Sequence, residues 1–114
     1  MSYDDPSKLG VDRFLAMLGA LERFPGIPLL VIDAGSAVTF DVLDSKGLHQ
    51  GGLIMPGIKA LRESFAKFST GDLSLTSSAL KNNTEEAWRS GTHAMLVSAI
   101  NSQIQNFELK YPSG

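Results

Sequence analysis

The chain has 114 residues, 43% of them hydrophobic and 19% charged, with a formal charge of −2, which suits one packed domain or part of one and argues against disorder. Its ten Lys and Arg residues are scattered, so no basic stripe serves nucleic acid or an anionic membrane, and without cysteine there is no disulfide framework, thiolate zinc site or thiol nucleophile. Two histidines do not make a metal cage, no apolar run approaches the ~20 residues of a membrane span, and residues 1–6 are acidic and polar, the reverse of a secretory leader, so a cytoplasmic location is expected.

Asp5-Pro6 starts a helix, Asp as a cap and Pro where no donor is lost. Phe14, Met17, Leu18 and Leu21 recur at helical spacing and predict an amphipathic helix to about Phe24. Ala16, Gly19 and Ala20 give it a second, nearly bare face that another element could approach closely. Pro25-Gly26 stops it. Leu29-Leu30-Val31-Ile32 reads as a short buried strand, and residues 37–43 as a second strand, β-branched at Val38, Thr39 and Val42. Asp44-Ser45-Lys46-Gly47 is a turn whose glycine supplies a positive φ. Residues 48–54 return as a third strand, with Gly51-Gly52 marking a bulge or a close backbone approach. The three form an antiparallel meander.

Pro56-Gly57 is expected to open a helix of about ten residues, with Ile58, Leu61 and Phe65 on one face. Residues 68–81 lack periodicity and read as a loop. Asn83-Thr84-Glu85-Glu86 has the form of a capping box starting a last helix to about Leu109, anchored by Trp88, Met95, Ile100 and Ile104. Tyr111-Pro112-Ser113-Gly114 ends it as a turn. The fold class is α/β (α+β within these residues), a three-stranded meander flanked by helices.

Four segments could carry chemistry, and each has two readings. In Val31-Ile32-Asp33-Ala34-Gly35-Ser36-Ala37-Val38-Thr39, a strand delivers a carboxylate beside a glycine and a hydroxyl. That suits a phosphate or a cation, or equally a plain hairpin in which Asp33 bonds its own turn amides. Asp12-Arg13, early in the first helix, is either a general base oriented by its neighbour or a solvated charge pair. Gly10 weighs against the solvated face, because an interior helix glycine costs about 1 kcal/mol against Ala. Gly51-Gly52-Leu53-Ile54-Met55-Pro56-Gly57 is a ligand-approach site or a bulge followed by a helix start. Thr84 is a cap or a ligand contact. Neither histidine has a catalytic spacing, and His49, beside a turn, reads as a surface residue.

The order and spacing of these segments carry a resemblance. Tyr3-x-x-Pro6-x-x-Leu9-Gly10-x-Asp12-Arg13 resembles the signature of the type III pantothenate kinases, a family that includes the Bvg accessory factors. Asp33-Ala34-Gly35-Ser36-Ala37-Val38-Thr39-x-Asp41 is similar to its second phosphate motif, Gly51-Gly52-x-Ile54-x-Pro56-Gly57 to its glycine-rich turn, and Thr84-Glu85-Glu86-Ala87 to the start of a later helix.

The resemblance implies the actin-like, ribonuclease H-like ATPase fold of the acetate kinase/sugar kinase/actin superfamily. It implies ATP-dependent phosphorylation of pantothenate to 4′-phosphopantothenate, the first step of coenzyme A biosynthesis. Asp12 is then the base. Tyr3, Gly10, Val11, Asp12, Arg13 and Thr84 contact pantothenate, with Arg13 facing its carboxylate. Gly35 and Ser36 face ATP, Ser36 standing where the family has a threonine. Asp33 holds a monovalent cation, potassium or ammonium, and magnesium accompanies the nucleotide. A homodimer is implied, with the bare face of the first helix at its interface. So is an alternative, a non-catalytic regulatory protein on the same fold. The family's Asp-x-Gly-Asn-x-x-x-Lys phosphate loop and its Thr-Gly-Gly strand match nothing in these residues. Residues 1–114 are therefore expected to be a single partial domain, weak in ATP binding and nearly inactive by itself.

Overall fold

The structure, a computed structural model, describes residues 6–64 and 84–112. Helix α1 (Pro6–Arg23) precedes strands β1 (Leu29–Ala34), β2 (Ala37–Leu43) and β3 (His49–Pro56), helix α2 (Ile58–Glu63) and helix α3 (Thr84–Lys110). The sheet is antiparallel throughout in the order β1-β2-β3, the expected meander. The expected loop over residues 68–81, Phe65, and the Asn83 end of the capping box lie outside the described residues, as does Tyr3.

Local chemistry accounts for the breaks. Gly26 and Gly47 sit at φ +82°, where a side chain would be strained, and Asp44 Oδ1 accepts from the Lys46 and Leu48 amides to close the second turn. Pro56 ends β3 instead of opening α2, contrary to expectation. Gly57 is the N-cap of α2, and its carbonyl accepts from the Leu61 amide. The carbonyl of Arg62, near the end of α2, accepts from Trp88 Nε1 of α3 at 2.9 Å, so the aromatic anchor also satisfies a helix-end acceptor.

The buried hydrophobic residues, Val38, Phe40 and Leu43, all belong to β2, the strand with neighbours on both sides. Paired residues share a sheet face. Leu30, Phe40, Val42 and Leu53 turn toward α3, lining a groove with Gln103, Asn106 and Phe107. Val31, Asp33, Thr39 and Asp41 occupy the opposite face, the one reached by Arg13 of α1. The sheet thus lies between α1 and α3.

How α1 sits corrects its predicted faces. Leu9, Arg13, Ala16, Met17, Ala20 and Leu21 are half-buried, and Leu21 lies against Gly47. Phe14 and Leu18, expected inward, are exposed together with Val11 and Leu15. Of the bare face, Ala16 and Ala20 belong to the half-buried side that carries Arg13 and Leu21, whereas Gly19 is exposed with nothing close to it. On α3, Met95 is 59% exposed and anchors nothing, whereas Ser90 and Thr92 are buried.

Candidate functional site

Asp41 is the organising group on the α1 face. It is 1% exposed at the middle of the central strand, and a carboxylate so buried needs compensating charge and hydrogen bonds. Arg13 supplies both as a fork, Nε donating to Oδ2 at 3.0 Å and Nη2 to Oδ1 at 2.5 Å. The Asp41 hydrogen bond raises the Arg13 pKa above its already high ordinary value, with burial opposing. A raised cationic pKa contributes stability that disappears only as pH climbs through the folded value, so the pair persists through neutral and moderately alkaline conditions.

His49 Nε2 is 2.8 Å from the same Oδ1. Its reach depends on a bulge: Val42 pairs with Gly51 but Leu43 with His49, leaving Gln50 as an extra residue. Because side chains alternate along a strand, that insertion turns His49 onto the α1 face. Gly51 takes φ +136° at the bulge. The expectation that His49 is a plain surface residue is therefore incomplete: its side chain is 43% exposed yet joined to the most buried carboxylate.

The glycine-rich segment now has a physical reason. A Cβ on Gly52 would overlap Asp41 Oδ1 and the Phe40 carbonyl and lie 2.6 Å from Arg13 Nη2. A Cβ on Gly57 would overlap the Gly35 and Ser36 carbonyls, and the Gly57 amide donates to the Ser36 carbonyl at 2.9 Å. These glycines admit other parts of the same chain: Gly52 the ion pair, Gly57 the β1–β2 turn.

At that turn, Asp33 is exposed. It does not bond its own turn amides; the Gly35 amide donates to the Ala37 carbonyl at 2.9 Å instead. The plain-hairpin reading of Asp33 thus loses its main feature, while the Gly35 N–H is already engaged in the turn. Asp12, next to Arg13, is half-buried on α1 and has no side-chain hydrogen bond among the described residues. Val11 is 55% exposed on the outer face, and a Cβ on Gly10 would meet open space. Thr84 opens α3 with an exposed side chain and no hydrogen bond to Asp12 or Arg13.

The arrangement therefore gathers Asp12, Arg13, Asp33, Asp41 and His49 on one side of the sheet. Arg13 balances the charge of Asp41, whereas Asp12 and Asp33 have no side-chain hydrogen bond among the described residues. A second polar cluster joins α2 to α3: Arg62, 2% exposed, donates from Nε to Thr92 Oγ1 at 3.1 Å, and Thr92 Oγ1 donates in turn within α3 to the Trp88 carbonyl at 2.8 Å. No local sequence pattern announces it, since Arg62 and Thr92 are 30 residues apart.

The described residues thus form an α/β unit with Asp33 at a strand end and Asp12 beside the ion-paired Arg13. Residues 1–106 match the family model described as type III pantothenate kinase, and the chain belongs to that family. It is 36% identical to the type III pantothenate kinase of Bacteroides fragilis over 96% of its own length and 47% of the relative's. It is 40% identical to that of Pseudomonas fluorescens over 90% and 44%, and 49% identical to that of Colwellia psychrerythraea over 60% and 28%. The chain thus spans less than half the length of these relatives. Among solved structures it is similar to a conserved putative Baf family transcriptional activator from Campylobacter jejuni, with a TM-score of 0.54 and 25% identity over 76% of this chain and 43% of that one.

Proposed function

We propose that the gene product carrying these residues phosphorylates pantothenate to 4′-phosphopantothenate with ATP, the first step of coenzyme A biosynthesis. The observation that carries this reading is the division of labour among three carboxylates. Asp41 is buried and neutralised. Asp12 and Asp33, on the same side of the sheet, have no side-chain hydrogen bond among the described residues.

In this reading Asp12 takes the proton from the pantothenate 4′-hydroxyl. The hydroxyl oxygen bonds to the γ-phosphorus of ATP, the bond to the β-phosphate oxygen breaks, and ADP leaves with the electron pair. Phosphoryl transfer of this kind asks the protein mainly for position and charge neutralisation. Tyr3, Gly10, Val11 and Thr84 complete the pantothenate contacts, and Ser36 with Gly35 faces the nucleotide. Asp33, an exposed oxygen donor with no hydrogen bond among the described residues, fits a potassium or ammonium ion, which would supply positive charge near the phosphates. Magnesium comes with the nucleotide.

The reading extends to the actin-like superfamily fold and to a cytoplasmic enzyme; none of the described helices is long and apolar enough to cross a membrane. It takes residues 1–114 as the pantothenate-binding and second-phosphate portion, catalysis needing a phosphate loop and a Thr-Gly-Gly strand that these residues do not contain. It includes a homodimer, whose contact on α1 moves from the bare face to the exposed Val11, Phe14, Leu15 and Leu18.

The test is ATP-dependent phosphorylation of pantothenate by that gene product, with and without potassium, in wild type and Asp12→Asn. Potassium-dependent turnover lost in the variant supports the assignment; an Asp12→Asn enzyme at wild-type rate refutes the base. A second reading is favoured by one observation, the similarity to a structure named as a Baf family transcriptional activator: a regulatory protein that retains the fold without catalysis. It takes over if the gene product neither binds nor phosphorylates pantothenate.

A further inference from the structure

Arg13 was expected to face the substrate carboxylate, but two of its donors are engaged by Asp41. Nε and Nη2 both bond Asp41, and the side chain is 22% exposed. A guanidinium holds one carboxylate bidentately at a time through these two donors. What the pair does follows from how α1 is attached. Toward the C-terminal end of the helix, Leu21 packs against the Gly47 turn. Around Asp12, the large apolar residues Val11, Phe14 and Leu15 all turn outward, each more than half exposed. Beside the half-buried Leu9, Ala16 and Met17, the polar tie between this part of the helix and the sheet is the Arg13/Asp41 pair.

The far end of the tie is the stiffest point available. Asp41 lies on the central strand, paired with Val31 on one side and Gly52 on the other. Gly52 provides the space that lets Arg13 reach it. His49, brought onto this face by the bulge, holds the second lone-pair direction of Oδ1 and so restrains rotation of the carboxylate. Asp12, one residue from Arg13 and without a side-chain hydrogen bond of its own among the described residues, takes its position from the backbone that this tie fixes.

We propose that Asp41 is a positioning residue: by clamping Arg13, with His49 locking its rotamer, it sets the place of the Asp12 carboxylate. The inference rests on the reading of Asp12 as the base. It assigns roles to Asp41 and His49, and it gives Arg13 the holding of the base. A displacement of the order of 1 Å in a reacting group costs about a hundredfold in rate, without a matching loss of substrate binding.

The experiment compares Asp41→Asn, Arg13→Lys and Asp12→Asn in the gene product that carries this chain, reading kcat and the pantothenate KM separately, with thermal melts as the check on folding. Arg13→Lys keeps the charge and loses the fork. The expected result is a fall of about a hundredfold in kcat for Asp41→Asn and Arg13→Lys, with KM within about threefold of wild type. A KM rise in Arg13→Lys with kcat retained assigns Arg13 to the substrate carboxylate and overturns the proposal. If Asp41→Asn does not fold, His49→Gln carries the test: kcat several-fold lower at constant KM supports the positioning role, and unchanged kcat overturns it. An active Asp12→Asn removes the underlying base assignment, whatever Asp41 does. An inactive Asp12→Asn beside a wild-type kcat in Asp41→Asn leaves that assignment standing and overturns the positioning role alone.

Discussion

Gly52 and Asp41 face each other across β2 and β3 so closely that a single methyl group on Gly52 would overlap the Asp41 carboxylate. The buried ion pair between α1 and the sheet exists because one strand residue has no side chain. Glycine weakens a strand interior, and here that cost is offset by a bidentate pair tying the helix that carries Asp12.

Replacing that glycine should accordingly do more than crowd the strand. Gly52→Ala is expected to destabilise the fold by about 3 kcal/mol, from overpacking and from loosening Arg13 on a buried carboxylate. Urea denaturation measures it. Gly91→Ala is the matched control: its Cβ meets open space on α3, so helix propensity alone should stabilise by up to about 1 kcal/mol. Equal effects in the two variants would dismiss the close-packing argument.

Gly10 offers the opposite case. It lies inside α1 and a Cβ there meets nothing within 4 Å, so the fold gives no reason for a glycine. Gly10→Ala should stabilise the helix by about 1 kcal/mol while weakening pantothenate binding, because the room it leaves is then room for ligand. A thermal melt and titration calorimetry should move in opposing directions.

Asp33 and Asp41 share a sheet face but not a role. Asp33→Asn removes a charge from an exposed side chain without hydrogen bonds among the described residues, so stability should stay within about 0.5 kcal/mol of wild type. Activation by potassium should be lost, read as turnover that no longer responds to the ion. A variant that melts early, or that keeps its potassium response, would contradict the cation assignment.

The second polar cluster makes a prediction about stability alone. Thr92→Val leaves the buried Arg62 Nε without its acceptor, at a cost of about 2–3 kcal/mol in chemical denaturation. Thr92→Ser keeps the hydroxyl and should recover most of it. A neutral Thr92→Val would show that another acceptor serves Arg62.

Much of this protein was decided locally and is legible in its sequence. Helical spacing, Pro and Gly punctuation and Asx turn chemistry act over a few residues. They placed α1, the three strands in order, the Gly47 turn, the bulge near Gly51 and the start of α3, and the motif spacing identified the family. Tertiary structure decided the rest. Arg13 and Asp41 are 28 residues apart, and neither residue type specifies the other as its partner. The face His49 occupies depends on one extra residue in the β2–β3 register, since a shift of one reverses every side chain. Which stripe of α1 turns inward also belongs to the tertiary structure: the side that carries Arg13 to the buried Asp41, where a counter-charge is needed, faces the sheet with Met17 and Leu21, and Phe14 and Leu18 are exposed.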